Sequence, residues 1–183
     1  LSSYYFTVSS LPYLRFEDPP PLSLDAFHTV CVQWLKPTDY RLVSNASLAD
    51  LSDTHPTCPV LERWREWEIS LRDELVKLRA ARLGVDPFRY LVPSSFVIGS
   101  AELAQEASGM VNPLEAEGLL NRARWRILEE LEVGHYFDVE RLVVYSLKLQ
   151  LLERKALYER ERGREKFEGI FEKLKEQIKA GES

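Results

Sequence analysis

At 183 residues the chain is long enough to bury a substantial hydrophobic core, and 45% hydrophobic with 29% charged residues makes it globular rather than disordered. A net charge of −5 argues against a general nucleic-acid binder, which needs a basic surface. Two cysteines, Cys31 and Cys58, are too few for a disulfide framework or a metal site, and a reducing cytoplasm is their simplest setting. The longest nearly apolar run, Leu142 to Leu147, falls far short of the roughly 20 residues of a membrane-spanning helix. The N-terminus lacks the basic segment and long apolar core of a secretory signal.

Leu1 to Leu11 is rich in aromatic, Thr and Val residues, so local propensity favours a strand. A lone strand needs a partner, which leaves a helix imposed by packing as the alternative. Arg15 to Pro21 carries three consecutive prolines and reads as a stiff, extended connector. Ser23 then caps a helix with Leu24, Phe27, Cys31 and Trp34 on one face, ended by Lys36-Pro37. Thr38 to Leu51 predicts one or two short helices, and Ser52 to Pro59 a turn-rich loop.

Val60 to Leu83 predicts a long helix. Leu61, Trp64, Trp67 or Glu68, Leu71, Leu75 and Leu78 recur at helical spacing, and Gly84 follows as a cap. Asp86 to Ile98 reads as short helix plus loop, and Ser100 to Ser108 as a short helix. Asn112-Pro113 is a cap followed by proline at the first helical position, opening a helix to about Val133.

The organising stretch is Asp138 to Arg162. Asp138 is a suitable N-cap, and Leu142, Tyr145, Leu149, Leu152 and Ala156 make one apolar face. Val143, Val144, Leu147 and Leu151 widen it until the first half is apolar almost all round, the signature of a helix enclosed by neighbours. From Glu153 the helix turns charged, and Gly163 permits a break before an amphipathic stretch, Arg164 to Lys179. Together these elements predict an all-α, compact multi-helix fold around one long helix of the C-terminal half. We read residues 1–183 as a single helical domain, with 1–84 and 85–183 as sub-lobes.

No catalytic constellation emerges. His28, His55 and His135 are scattered, no G-x-S-x-G elbow occurs, and no phosphate-cradling glycine loop occurs. Neither enzymatic activity nor a cofactor or metal is expected. The carboxylates interleave with Arg and Lys and read as solvated pairs. Arg122, Arg124 and Arg126 form the nearest thing to a basic patch, but Arg124 lies well around the helix from the other two. Trp34, Trp64 and Trp67 fit the apolar stripes and read as core.

The opening Y-Y-F-T-V-S-S-L-P-Y-L, the P-x-S-L-D-A-F helix start at Pro21 to Phe27, Y-S-L-K-L-Q-L-L-E-R and R-G-R-E-K-F-E resemble an uncharacterised bacterial family. Its members are typically encoded among V-type ATPase (ATP synthase) subunits. That family is distantly similar to the C-type component of those machines, the d-type in eukaryotes, an all-helical funnel joining the rotor stalk to the membrane ring. The C-type component is three-lobed and almost twice this length, so the resemblance implies a reduced C/d-like helical fold. It also implies a non-catalytic accessory or coupling subunit that touches the central stalk and the membrane ring. Such a protein would be cytoplasmic and held at the membrane by protein partners, without a span of its own. A soluble helical adaptor or assembly factor outside the mature machine is the alternative. The charged segments assigned to partner contact are Arg122 with Arg126, and Arg154 with Lys155.

Overall fold

The computed structural model describes residues 3–52, 57–92 and 97–181, with side chains from Tyr4 to Arg160 within those segments. Among the described residues the chain is all-helical and has no strand. Seven α-helices follow in order: α1 (Ser3–Ser10), α2 (Leu24–Trp34), α3 (Pro37–Asn45), α4 (Pro59–Leu83), α5 (Ser100–Gly109), α6 (Pro113–Glu132) and α7 (Val139–Gly181). A short 3-10 turn, Pro87–Arg89, lies between α4 and α5.

Cap chemistry sets most boundaries. The Ser23 hydroxyl accepts from Ala26 N (3.2 Å), Asn112 accepts from Leu114 N (3.0 Å) and Asp138 accepts from Arg141 N (2.9 Å). Gly84 closes α4 at φ +66°, a left-handed conformation that an L side chain resists. Gly134 turns α6 back into α7 at φ +89°, making the two helices an antiparallel hairpin.

Three expectations change. The N-terminal segment is helix α1, not strand, because Tyr4, Thr7, Val8 and Leu11 repeat at three and four residues and turn inward, Thr7 fully buried. Packing against α2 and α7 outweighs its β-propensity. The Arg15 end of the connector is a turn closed by Asp18 N donating to Arg15 O (3.2 Å) rather than extended chain. Thr38 to Leu51 contributes one helix, α3, within the expected one or two. Finally, Gly163 does not interrupt α7, which runs unbroken to Gly181. A helical glycine costs only about 1 kcal/mol relative to alanine, less than restarting a helix. His55 lies outside the described residues.

The core forms around the first part of α7. Leu142, Val143, Val144, Leu147, Leu149, Leu151 and Leu152 are all buried, as the all-round apolar pattern requires. Burying each such side chain contributes about 1.5 to 3 kcal/mol. Phe27 and Cys31 of α2, Trp64 and Leu71 of α4, and Leu128 of α6 complete this centre. Burial pushes the Cys31 thiol up to about 12, so it behaves as a small hydrophobe. Trp34, expected in the core, is instead half exposed at the end of α2, stacked on Phe6 of α1.

Polar side chains of α7 also satisfy the backbone of distant segments. Tyr145 Oη donates to Pro12 O (3.0 Å), Glu153 accepts from Leu24 N (2.8 Å), and Gln150 donates to Ala46 O (2.7 Å) while accepting from Leu48 N (3.1 Å). The connectors of the N-terminal third are thus fastened to one helix.

Candidate protein-contact groove

The α6–α7 hairpin and the connector after α1 enclose a groove of about 390 Å³ with Phe16 at its centre. Phe16 packs on the Trp125 ring at 5.6 Å between centroids. Two cations bracket it: the Arg122 guanidinium lies 5.0 Å and the Lys155 ammonium 4.9 Å from the ring centroid. Lys155 Nζ also donates to Phe16 O (2.7 Å), and Arg122 pairs with Glu17 (2.8 Å). Leu114, Leu119 and Tyr158 supply apolar wall, and Glu115, Glu117 and Glu159 supply acidic rim. Arg154 pairs with Glu117 at 2.6 Å and lies 5.8 Å from the Tyr158 ring centroid.

The structure therefore brings two of the four predicted contact residues into this groove and a third to its edge. Arg122 and Lys155 line it from two helices, Arg154 reaches only its edge through Glu117, and Arg126 stays exposed and lies outside the lining. Arg122 and Lys155 clip the Phe16 connector onto the hairpin, and Arg154 ties α7 to α6 through Glu117. Arg122 and Glu17 are both largely exposed, so their pair contributes only about 0 to 1 kcal/mol, and the groove can exchange it for a partner's charge at little cost.

Beneath the groove lies a buried charge network that sequence reasoning missed. Glu68 of α4 is 1% exposed; its Oε2 accepts from Arg124 Nε (3.0 Å) and its Oε1 from Arg124 Nη2 (3.0 Å). The same Oε1 accepts from Arg72 Nε (2.9 Å), and Arg72 reaches on to the carbonyls of Leu48 (2.6 Å) and Ala49 (3.2 Å). Arg124 also donates to Asn121 (3.1 Å) and lies 3.6 Å from Glu117. Burial works to lower the Arg124 pKa, but the hydrogen bonds and charge of Glu68, with Glu117 behind, outweigh it and hold it above the ordinary value. Arg124 is thus core rather than part of a basic patch, and Glu68 is no solvated carboxylate. A signal existed: Glu68 sits in the stripe with Trp64 and Leu71, and Arg124 sits between Leu120 and Leu128.

A second network lies nearer the hairpin turn. Glu132 is shared by Arg141 and Lys148 of α7, and the Lys148 ammonium lies 5.0 Å from the Trp125 ring centroid. Burial pushes the Lys148 amine down to about 8, Glu129 opposing and Arg141 adding to the shift. His135 Nδ1 lies 2.8 Å from Asp138 Oδ2, and the His28 ring packs beside Phe27 and Tyr40.

Fold and groove define an all-helical protein whose surface features are concave, charged and aromatic. Residues 103–178 match a family model described as "Protein of unknown function (DUF2764)", covering most of α5, all of α6 and most of α7. That span contains Arg122, Arg126, Arg154 and Lys155. No curated protein and no solved structure matches the chain.

Proposed function

We propose that the chain is a non-catalytic accessory or coupling subunit of a V-type ATPase, gripping the central stalk and the membrane ring through protein contacts. The observation that carries this reading is α7. Two of the four motifs that resemble the ATPase-associated family, Y-S-L-K-L-Q-L-L-E-R and R-G-R-E-K-F-E, lie on it. At 1.5 Å per residue its 43 residues extend about 65 Å, whereas a compact chain of this size is about 40 Å across. A helix rooted in a core and longer than the body suits a part that links two bodies. The groove beside its midpoint offers charge to steer and orient a partner. Among the described residues no helix is long and apolar enough to cross a membrane, so contact with the ring would run through protein.

A soluble helical adaptor or assembly factor acting outside the mature machine is the competing reading. It is favoured by the internal pairing of Arg122, Arg154 and Lys155, which leaves less charge for a permanent contact. The test is a pull-down of the tagged chain from native membranes. Stalk and ring proteins should co-purify with a coupling subunit; an assembly factor should retain only incomplete complexes. Recovery of neither overturns both readings, and substrate turnover abolished by one polar substitution would move the protein to the enzymes.

A further inference from the structure

At the opposite end of the hairpin, about 24 Å along α7 from Lys155, lies a second surface of different chemistry. Five aromatic side chains stand exposed there: Tyr5 and Phe6 of α1, Trp34 at the end of α2, and Tyr136 and Phe137 of the α6–α7 turn. Four of them are in direct ring contact as a chain, Phe137 to Tyr5 at 5.1 Å, Tyr5 to Phe6 at 6.0 Å and Phe6 to Trp34 at 6.0 Å. Tyr136, next in sequence to Phe137, is 71% exposed. Helix α1 contributes no charged residue. Single exposed aromatics are ordinary, but a contiguous group from three separate elements is not.

The rim of this patch is acidic. Asp138 follows Phe137 directly, and the ligand atoms of His135, Asp138 and Glu140 lie within 4.8 Å of one another. Asp39 reaches the same corner, accepting from Tyr4 Oη at 2.5 Å. The Tyr4 hydroxyl, raised first by burial and then by Asp39, is raised further by Glu140 and Asp138, so all three carboxylates surround the residue beside Tyr5. Among the described residues no lysine or arginine forms an ion pair with any of the three. An aromatic centre within an acidic rim that no described lysine or arginine pairs with has the anatomy of a protein interface rather than of a solvated face.

We propose that this surface docks a segment of another polypeptide whose apolar centre is flanked by lysine or arginine side chains. Charge selects that occupant. An anionic lipid surface attracts basic patches and repels this rim. A second copy of the chain, meeting patch to patch about a two-fold axis, would set the carboxylates of one rim against those of the other. A basic-flanked segment pairs with the rim, and its cations can stack on Trp34 and Tyr136. The inference does not depend on which assembly the chain joins.

The test places photoreactive benzoylphenylalanine at position 136 of the full chain, in extracts of its source cells at low ionic strength. Crosslinked peptides are mapped by mass spectrometry. The expected product joins position 136 to a different polypeptide, at apolar residues bordered by Lys or Arg. Neutralising the rim with Asp138→Asn and Glu140→Gln should reduce its yield about tenfold, and moderate salt should reduce it similarly. Asparagine keeps the α7 cap, and a thermal melt confirms folding. Crosslinks to lipid, to a second copy or to nothing overturn the proposal, as does a yield indifferent to neutralisation. A captured segment of this chemistry from outside the ATPase leaves the docking inference standing and removes the coupling-subunit reading.

Discussion

Replacing Glu68 with Gln removes the charge that Arg124 was buried to meet. The wild-type carboxylate accepts two hydrogen bonds from Arg124 and one from Arg72, all between 2.9 and 3.0 Å. In Glu68→Gln the buried guanidinium keeps Asn121, the 3.6 Å approach of Glu117 and the amide Oε1, but loses the full charge and faces an NH2 donor where the second carboxylate oxygen stood. Leaving one half of a buried pair uncompensated costs about 3 to 5 kcal/mol. Arg124→Met should cost less, about 1 to 3 kcal/mol, because Glu68 retains Arg72, whose side chain is partly solvated. The double variant Glu68→Met, Arg124→Met exchanges charge for apolar volume and should cost less than Glu68→Gln alone. Urea denaturation gives the answer as shifts in midpoint at constant slope. The reasoning fails if Glu68→Gln costs under about 1 kcal/mol, or if the double variant is as unstable as the single one.

Leu149→Ala opens a cavity in the enclosed part of α7 and should cost about 2 to 5 kcal/mol, read by chemical denaturation; an unchanged midpoint would show that α7 is not the centre of the core. The folded Lys148 pKa of about 8 lies below the ordinary 10.5, so above pH 8 the folded chain releases a proton that the unfolded chain keeps. Stability of the wild type relative to Lys148→Met should therefore rise from pH 8 to pH 10, by about 1 to 3 kcal/mol, and a flat difference would refute it. Charge reversal at Arg154 and Lys155 should lower the melting temperature as well as partner affinity, since both side chains hold the fold, whereas Arg126→Glu should leave the melt unchanged. Gly163→Pro, within the unbroken α7, should cost about 3 kcal/mol of local helix stability and reduce ellipticity at 222 nm; identical spectra would argue for a natural break there.

Helix boundaries were legible where the deciding chemistry is local. Ser23, Gly84, Asn112-Pro113 and Asp138 each announce a terminus through a side chain or backbone preference only a few residues wide. The α7 core was legible because apolar residues all round a helix have no solvent-facing solution. The start of the chain was harder: composition favoured strand, while the spacing of Tyr4, Thr7, Val8 and Leu11 favoured helix, and only the neighbours decide. Trp34 fits the α2 stripe, but the stripe leaves the core one turn before the helix ends. Glu68 and Arg124 are 56 residues apart, so each alone reads as an ordinary charge on an apolar face. The groove followed the same logic, since Phe16 comes from a proline-rich connector whose path the sequence does not specify.

The fastening of early connectors to α7 has a consequence for synthesis. Pro12 waits for Tyr145, 133 residues later, and Leu24 waits for Glu153, 129 residues later. At ribosomal rates of about 5 to 20 residues per second, that interval lasts roughly 7 to 27 seconds. During it α1, α2 and α3 lack the helix that buries their inner faces, so they cannot complete their packing until α7 has emerged. Synthesis halted before residue 139 would leave the inner faces of α1, α2 and α3 without the helix that covers them, so the order of the early segments is decided by a helix made long after them.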